Sequence, residues 1–257
     1  MRSSLNSPIK SFKNKRIWII GASSGIGLAL AQAWLAQGAY VAVSARRSER
    51  LLELSQQHPN ALAIPLDASD IDAWQVAKNT LMTAWQGIDL IVFCAAIYQP
   101  ERIWDVRSEQ VRQTLAINFN SVYYGIETIL PDLLTKGGGI AILSSVAGYL
   151  GLTNATVYGP SKAALINLAE ILYLDLSPKG YGVYLINPGF VRTSLTAKNN
   201  FAMPALQTPI QAASQIIQGI QKGRFEIHFP KRFTLLLKIV QKLPYCIRLP
   251  LMSRFLK

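Results

Sequence analysis

The chain is poor in the residues that hold metals, disulfides and charge relays: its 257 residues include two cysteines and two histidines. Cys94 and Cys246 lie far apart, without Cys-x-x-Cys spacing, so neither a disulfide framework nor a metal site is expected. His58 and His228 fall in segments that read as a loop and a late strand, and Ser145 lacks a Gly-x-Ser-x-Gly elbow, which argues against a serine-hydrolase relay. Uninterrupted apolar runs of about 18 residues, enough to cross a bilayer, are missing. The leading stretch "MRSSLNSPIKSFKNKR" has no apolar core of the kind secretory leaders carry. A cytoplasmic protein is expected.

Acid is absent from both ends. Residues 1–16 carry five basic side chains and no acid, and residues 230–257 carry seven and no acid, within a formal net charge of +12. In the tail "FPKRFTLLLKIVQKLPYCIRLPLMSRFLK" the basic residues interleave with leucine and isoleucine, in segments cut by Pro244 and Pro250. That pattern suits the anionic, cytoplasmic face of a membrane better than nucleic acid, for which aromatic stacking platforms are expected. The other reading is a tail folded over its own subunit or a partner's. The chain therefore divides into residues 1–230, one domain, and a basic amphipathic tail, residues 231–257.

Half of the side chains are apolar, enough for a sizeable single core. They are distributed in short continuous runs, "RIWII", "AYVAVS", "ALAIPL", "DLIVFCAA", "GIAILSS" and "GVYLIN", each followed by a helical pattern. Strands without period-two alternation, separated by helices, predict a parallel sheet covered on both faces. The expected fold is α/β, a single-domain Rossmann-like doubly wound sheet of about seven strands. Ligands of such sheets sit beyond the carboxyl ends of the strands.

The first run ends in "GASSGIG" and passes directly into a helix. Gly21, Gly25 and Gly27 there permit a tight turn and a close approach of backbone N–H groups to a pyrophosphate. Further on, "YGPSK" opens the run "AALINLAEILYLDL". Pro160 is tolerated only in a first helical turn, so Tyr158 stands at the helix entrance, with Lys162 on the same face.

Gly-x-x-x-Gly-x-Gly followed by Tyr-x-x-x-Lys resembles the short-chain dehydrogenase/reductase family over about residues 14–230. Other matching residues are Ser145, thirteen before Tyr158, Asn118 in "LAINFNSVYYG", Asp67 in "IPLDASD", and "NPGFVRT". The resemblance implies a catalytic set of Asn118, Ser145, Tyr158 and Lys162. It implies a dinucleotide lined by Gly21, Ser23, Ser24, Gly25, Ile26 and Gly27 at the turn, and by Arg46, Arg47, Asp67 and Ala95 on the adenosine side. Pro188, Gly189, Val191 and Thr193, with Asn118, Tyr158 and Lys162, complete that contact set. In this reading Lys162 and the nicotinamide charge lower the Tyr158 phenol from its ordinary pKa of ~10. Asn118 would hold a water, and Asp67 would sit beside the adenine. Each residue also has a plainer use: Ser145 and Asp67 as caps, Asn118 as a partner for backbone groups at a helix irregularity.

After the second strand "VSARRSER" offers Ala45 where NAD-selective sites place an acid, followed by Arg46 and Arg47, so NADP(H) is expected over NAD(H). The chain departs from the family at Phe93-Cys94-Ala95-Ala96, where Asn-Asn-Ala-Gly is usual, and at Ile20. Tyr98, Trp104, Tyr149, Phe190, Phe201 and Met203 are the expected pocket walls, suited to an apolar carbonyl or alcohol, possible lipid-like compounds included. The resemblance also implies a homodimer or homotetramer. The competing function is a catalytically idle nucleotide-binding adaptor for redox sensing or membrane attachment.

Overall fold

The computed structural model describes residues 4–136 and 138–255. Residues 1–3 and 256–257, the ends of the two expected units, lie outside the described residues. Seven strands form one sheet: β1 (Arg16–Ile20), β2 (Tyr40–Ser44), β3 (Ala61–Ala63), β4 (Leu90–Phe93), β5 (Gly139–Leu143), β6 (Gly182–Pro188) and β7 (Glu226–Phe229). Their order is β3-β2-β1-β4-β5-β6-β7 and every pairing is parallel. The order reverses between β1 and β4, where Ile20 is paired with Phe93. The crevice beyond that pair is where a doubly wound sheet takes its ligand.

The apolar runs lack alternation because both faces of the sheet are covered. Ile17 and Ile19 of β1 enter the core cluster that contains Trp34, under helices α1 (Gly25–Leu35) and, much later, Pro209–Gln221. Trp18 and Ile20 point to the opposite cluster, which contains Trp74. Helices α2 (Ser48–Gln57), α3 (Ile71–Trp85), α4 (Ser108–Leu115), α5 (Ser121–Lys136), α6 (Tyr158–Leu176) and α7 (Pro209–Gln221) are the remaining cover. Between α4 and α5 the helical path passes through a π-helical turn, Ala116–Asn120. Such a turn inserts a residue and re-aims its neighbours, often at functional sites.

Loss of the family's two asparagines after β4 is compensated by packing. Phe93 is buried with its ring 6.1 Å from that of Trp74, and Trp74 in turn lies 5.6 Å from Trp18. Gly125 on α5 makes the space, since a Cβ there would meet Phe93 Cε1 at 2.5 Å and Trp74 Cη2 at 2.7 Å.

The tail folds onto the body as α8 (Lys231–Gln241) and α9 (Tyr245–Phe255). Pro250, expected to interrupt a segment, lies inside α9. Phe233, Leu237 and Val240, on one face of α8, pack with Met252 against Val146, Tyr149 and Leu150. Leu235, Leu236 and Ile239 face outward, 50%, 57% and 63% exposed. Of the two readings of the tail, packing on its own subunit is therefore realised, and it leaves an apolar outer face. Among the described residues no helix is long and apolar enough to cross a membrane.

The aromatic brace sets a test. Gly125→Ala forces a methyl against two packed rings, which costs about 1–3 kcal/mol. Thermal unfolding should fall by roughly 2–4 °C for each kcal/mol; an unchanged Tm would show that the rings yield freely.

Candidate active site

A cleft of about 550 Å³ opens at the carboxyl ends of β1, β2, β4, β5 and β6. Every residue of the expected dinucleotide set lines it except Asn118. Gly21, at φ +91°, occupies a backbone region closed to most side chains, and a Cβ on it would lie 2.5 Å from the Ala95 nitrogen. The β1 turn thus runs directly against the β4 turn, beside the first turn of α1. Arg46 and Arg47 border the same end. The Arg47 guanidinium donates to Ser23 Oγ at 3.2 Å, and Arg46 is near enough to help hold Asp67 below the usual carboxylate range. Burial opposes that shift; hydrogen bonds from Ser69, to the Asp67 carboxylate at 2.7 and 3.0 Å, outweigh it. Asp67 therefore caps its own turn and lines the cleft at once.

The other end of the cleft carries Ser145, Tyr158 and Lys162. Helix α6 presents Tyr158 and Lys162 one turn apart, and Ser145 follows β5 as the cap of the short turn Val146–Gly148. Ser145 Oγ accepts from the Ala147 N–H at 3.1 Å, and the same residue stands near enough to Tyr158 to influence its phenol. Burial pushes the Tyr158 phenol up to about 12, the neighbouring Ser145 hydroxyl pulls it down, and Tyr98, whose ring is 5.0 Å away, raises it. Lys162 stands on the same face of α6, one turn further on. Its Nζ lies 5.6 Å from the Tyr158 ring centroid and donates to the Leu143 carbonyl at 2.9 Å. Burial brings the ammonium itself down to about 8.

Asn118 lies behind the wall, fully buried in the π-helical turn. Its side chain bonds both ends of one backbone site, accepting from the Ile97 N–H at 2.8 Å and donating to the Ile97 carbonyl at 2.9 Å. It also donates to Ser161 Oγ at 3.3 Å, and that hydroxyl donates to the Tyr158 carbonyl at 2.7 Å. Asn118 thus connects the β4 turn to the first turn of α6, as the plainer reading of a buried polar brace anticipates.

Some expected residues stand elsewhere. Trp104 is 76% exposed, with the Arg102 guanidinium over its ring, and so forms no pocket wall. Tyr149 is buried and its hydroxyl donates to Glu226 at 2.5 Å. Cys94, dismissed from sequence because it lacks a partner cysteine, lines the cleft; burial pushes its thiol up to about 12 despite the nearby Lys162 charge. Its place directly after an apolar strand was the available signal. Among the described residues no group of three or more side chains could hold a metal.

A family model for short chain dehydrogenases matches residues 15–203. An uncharacterized oxidoreductase of Myxococcus xanthus is 33% identical over 232 residues, covering 88% of this chain and 91% of its own length. A trans-4-hydroxycyclohexanecarboxylate dehydrogenase of Sinomonas cyclohexanicum is 27% identical, covering 70% of this chain and 73% of its own. A short chain dehydrogenase/reductase of Burkholderia phymatum, solved in complex with NAD, shares the fold with TM-score 0.82 at 21% identity, over 90% of this chain and 94% of its own. The chain belongs to the short-chain dehydrogenase/reductase family. It is an oxidoreductase of the kind that uses NAD(P)(H).

The depressed Lys162 value has a measurable consequence. Between about 8 and the ordinary 10.5 the unfolded chain binds more protons at this residue than the folded one. Stability contributed by this site therefore rises with pH across that window and is flat below it. In nucleotide-free protein, the difference in unfolding free energy between the natural chain and Lys162→Met should shift in the natural chain's favour from pH 8 to 10; a pH-independent difference would refute a buried ammonium.

Proposed function

We propose that the protein interconverts a carbonyl and a secondary alcohol on an apolar substrate, with NADP(H) as the hydride carrier. The convergence of Ser145, Tyr158 and Lys162 on one end of a cleft whose other end presents two arginines carries this reading. The bound nicotinamide supplies or accepts hydride. In the reductive direction the Tyr158 hydroxyl gives its proton to the substrate oxygen, and Ser145 steadies that oxygen by hydrogen bonding. A phenol near 12 is held protonated at neutral pH and so is ready to donate. Lys162, near 8, sits where a proton can be taken or released at working pH and would also hold the ribose. Asn118 keeps the β4 turn and the start of α6 in register and supports the water that relays to solvent.

Arg46 and Arg47, with no acid at Ala45, favour a 2′-phosphate through charge-assisted hydrogen bonds. The Phe201–Phe190–Phe233 ring stack, with centroids 5.9 and 5.7 Å apart, suits an apolar substrate such as a long-chain ketone, an oxoacyl group or a sterol. Such substrates partition into lipid, and the outer face of α8 fits an anionic membrane surface at the cytoplasmic side. Leu235, Leu236 and Ile239 form that face, beside the basic Lys231 and Arg232 at the helix start. Exposed Tyr123 on α5 and Ile171 and Leu174 on α6 support pairing into a homodimer or homotetramer. An idle adaptor would have no use for the joint presence of Ser145, Tyr158 and Lys162 in one cleft.

Oxidation of NADPH in the presence of ketones and oxoacyl compounds tests the reading. Tyr158→Phe should lower kcat by on the order of 10²-fold with little change in NADPH affinity, and kcat/KM should be higher with NADPH than with NADH. Unchanged turnover in that variant removes Tyr158 from the mechanism. Separately, the double variant Leu236→Glu, Ile239→Glu should abolish co-sedimentation with phosphatidylserine vesicles while shifting stability by no more than about 0.5 kcal/mol for each surface change; retained sedimentation refutes the α8 docking face.

A further inference from the structure

One carboxylate outside the reacting groups gathers three segments of the chain. Glu226, the first residue of β7, accepts from the Tyr149 hydroxyl at 2.5 Å and from Asn187 Nδ2 at 2.9 Å through Oε1. Its Oε2 accepts from, and is ion-paired with, the Lys238 ammonium of α8. The same ammonium lies 5.4 Å from the Tyr149 ring centroid. Burial works against the ionised carboxyl, but hydrogen bonds from Lys238, Tyr149 and Asn187 prevail and hold it below the usual range.

Each partner leads to the active site. Tyr149 ends the short turn that Ser145 begins, with its N–H bonded to the Val146 carbonyl at 3.0 Å. Asn187 immediately precedes Pro188 and Gly189, which line the cleft. Among the described residues its Oδ1 is buried without a hydrogen-bond partner, and its Nδ2 is held by Glu226. Lys238 brings α8, whose Phe233 packs 5.7 Å from Phe190. Charge-assisted bonds of this kind are short and directional, and removing one member strands the others in a half-buried place.

We propose that Glu226 is a positioning residue for Ser145 and for the Pro188–Gly189 segment, and that Lys238 makes α8 part of the same brace. The inference rests on the dehydrogenase reading for its effect on turnover, though not for its effect on the turn. Tyr149→Phe and Glu226→Gln weaken the brace at one member, Lys238→Met removes both the ion pair and the cation over the Tyr149 ring, all three keep side-chain size near its original, and Lys238→Arg keeps the charge. Lys179→Met, at an exposed site remote from the brace, controls for loss of a positive charge.

The full chain is tested by amide hydrogen exchange, by NADPH binding followed through its fluorescence, and by NADPH oxidation with 2-decanone. Exchange at Gly148 and Tyr149 should quicken by roughly tenfold or more in Glu226→Gln and Lys238→Met while the α1 amides stay unchanged. The NADPH Kd should stay within about twofold and kcat fall on the order of tenfold, as expected when a reacting group is displaced without losing cofactor contacts. Lys238→Arg should restore both exchange and kcat, and Lys238→Met should add little in the Tyr149→Phe background. Natural exchange at the turn in Glu226→Gln overturns the proposal, as does quickening spread equally over the whole chain. Natural kcat beside a loosened turn also overturns it. If the natural chain turns over no carbonyl, the dehydrogenase reading fails, and the exchange result alone then decides whether Glu226 sets the Ser145 turn.

Discussion

Lys162 carries its ammonium to the end of β5, where the chain supplies the Leu143 carbonyl 2.9 Å away and little water, for the residue is 2% exposed. A cation taken out of water at that depth lowers its own proton affinity, here to about 8, and is tolerable only where its surroundings are fixed. Ser144 Oγ donates to the Lys162 carbonyl at 2.7 Å, and the Ser144 N–H donates to the Ile186 carbonyl at 2.8 Å, so β5, β6 and α6 are joined beneath the ammonium. The placement of Tyr158 follows from that constraint. Helix α6 can neither rotate nor slide without moving Lys162, and Tyr158 is one turn before it.

The crevice between β1 and β4 shows how a packing solution can replace a polar one. Asparagines at the β4 terminus would brace neighbouring strands by side-chain hydrogen bonds; Phe93 does so by filling the space between Trp74 and the bare Cα of Gly125. The backbone at Ala95 lies directly against the Gly21 turn, where a Cβ on the glycine would be 2.5 Å from the Ala95 nitrogen. Cys94 then lines the cleft with a thiol held neutral by burial, which adds no negative charge there.

Much of this was legible before any coordinates. Strand ends, the glycine turn and the Tyr158–Lys162 pair are local: their residues lie within one turn or one strand of each other, so spacing alone places them on a common face. The family resemblance extended that to Ser145 and Asn118. What escaped is nonlocal or depends on environment. Tyr149 and Glu226 are 77 positions apart, and aromatics in a loop near a pocket read equally well as its wall or as part of the core. Burial is the largest influence on both the Tyr158 phenol and the Lys162 ammonium, and burial is not written in a spacing. Pro250 was read as an interruption, yet α9 continues through it at the surface.

The basic tail acquires a meaning only when its two faces are separated. Its seven cations have no acid within residues 230–257, so any ion pair must be made with the body, and Lys238 finds Glu226 on β7. That contact belongs to the inner face, together with Phe233, Leu237, Val240 and the fully buried Thr234, whose hydroxyl lies 2.6 Å from His228 Nδ1. Leu235, Leu236 and Ile239 contribute nothing to the fold's core, and an apolar outer stripe on an otherwise basic helix is costly in water unless something covers it. A helix anchored on one side to the turn that carries Ser145 and apolar on the other cannot be displaced at its outer face without loading the inner one. The tail and the turn that begins at Ser145 are therefore linked twice, through the Glu226 carboxylate and through the packing of Phe233, Leu237 and Val240 on Val146, Tyr149 and Leu150.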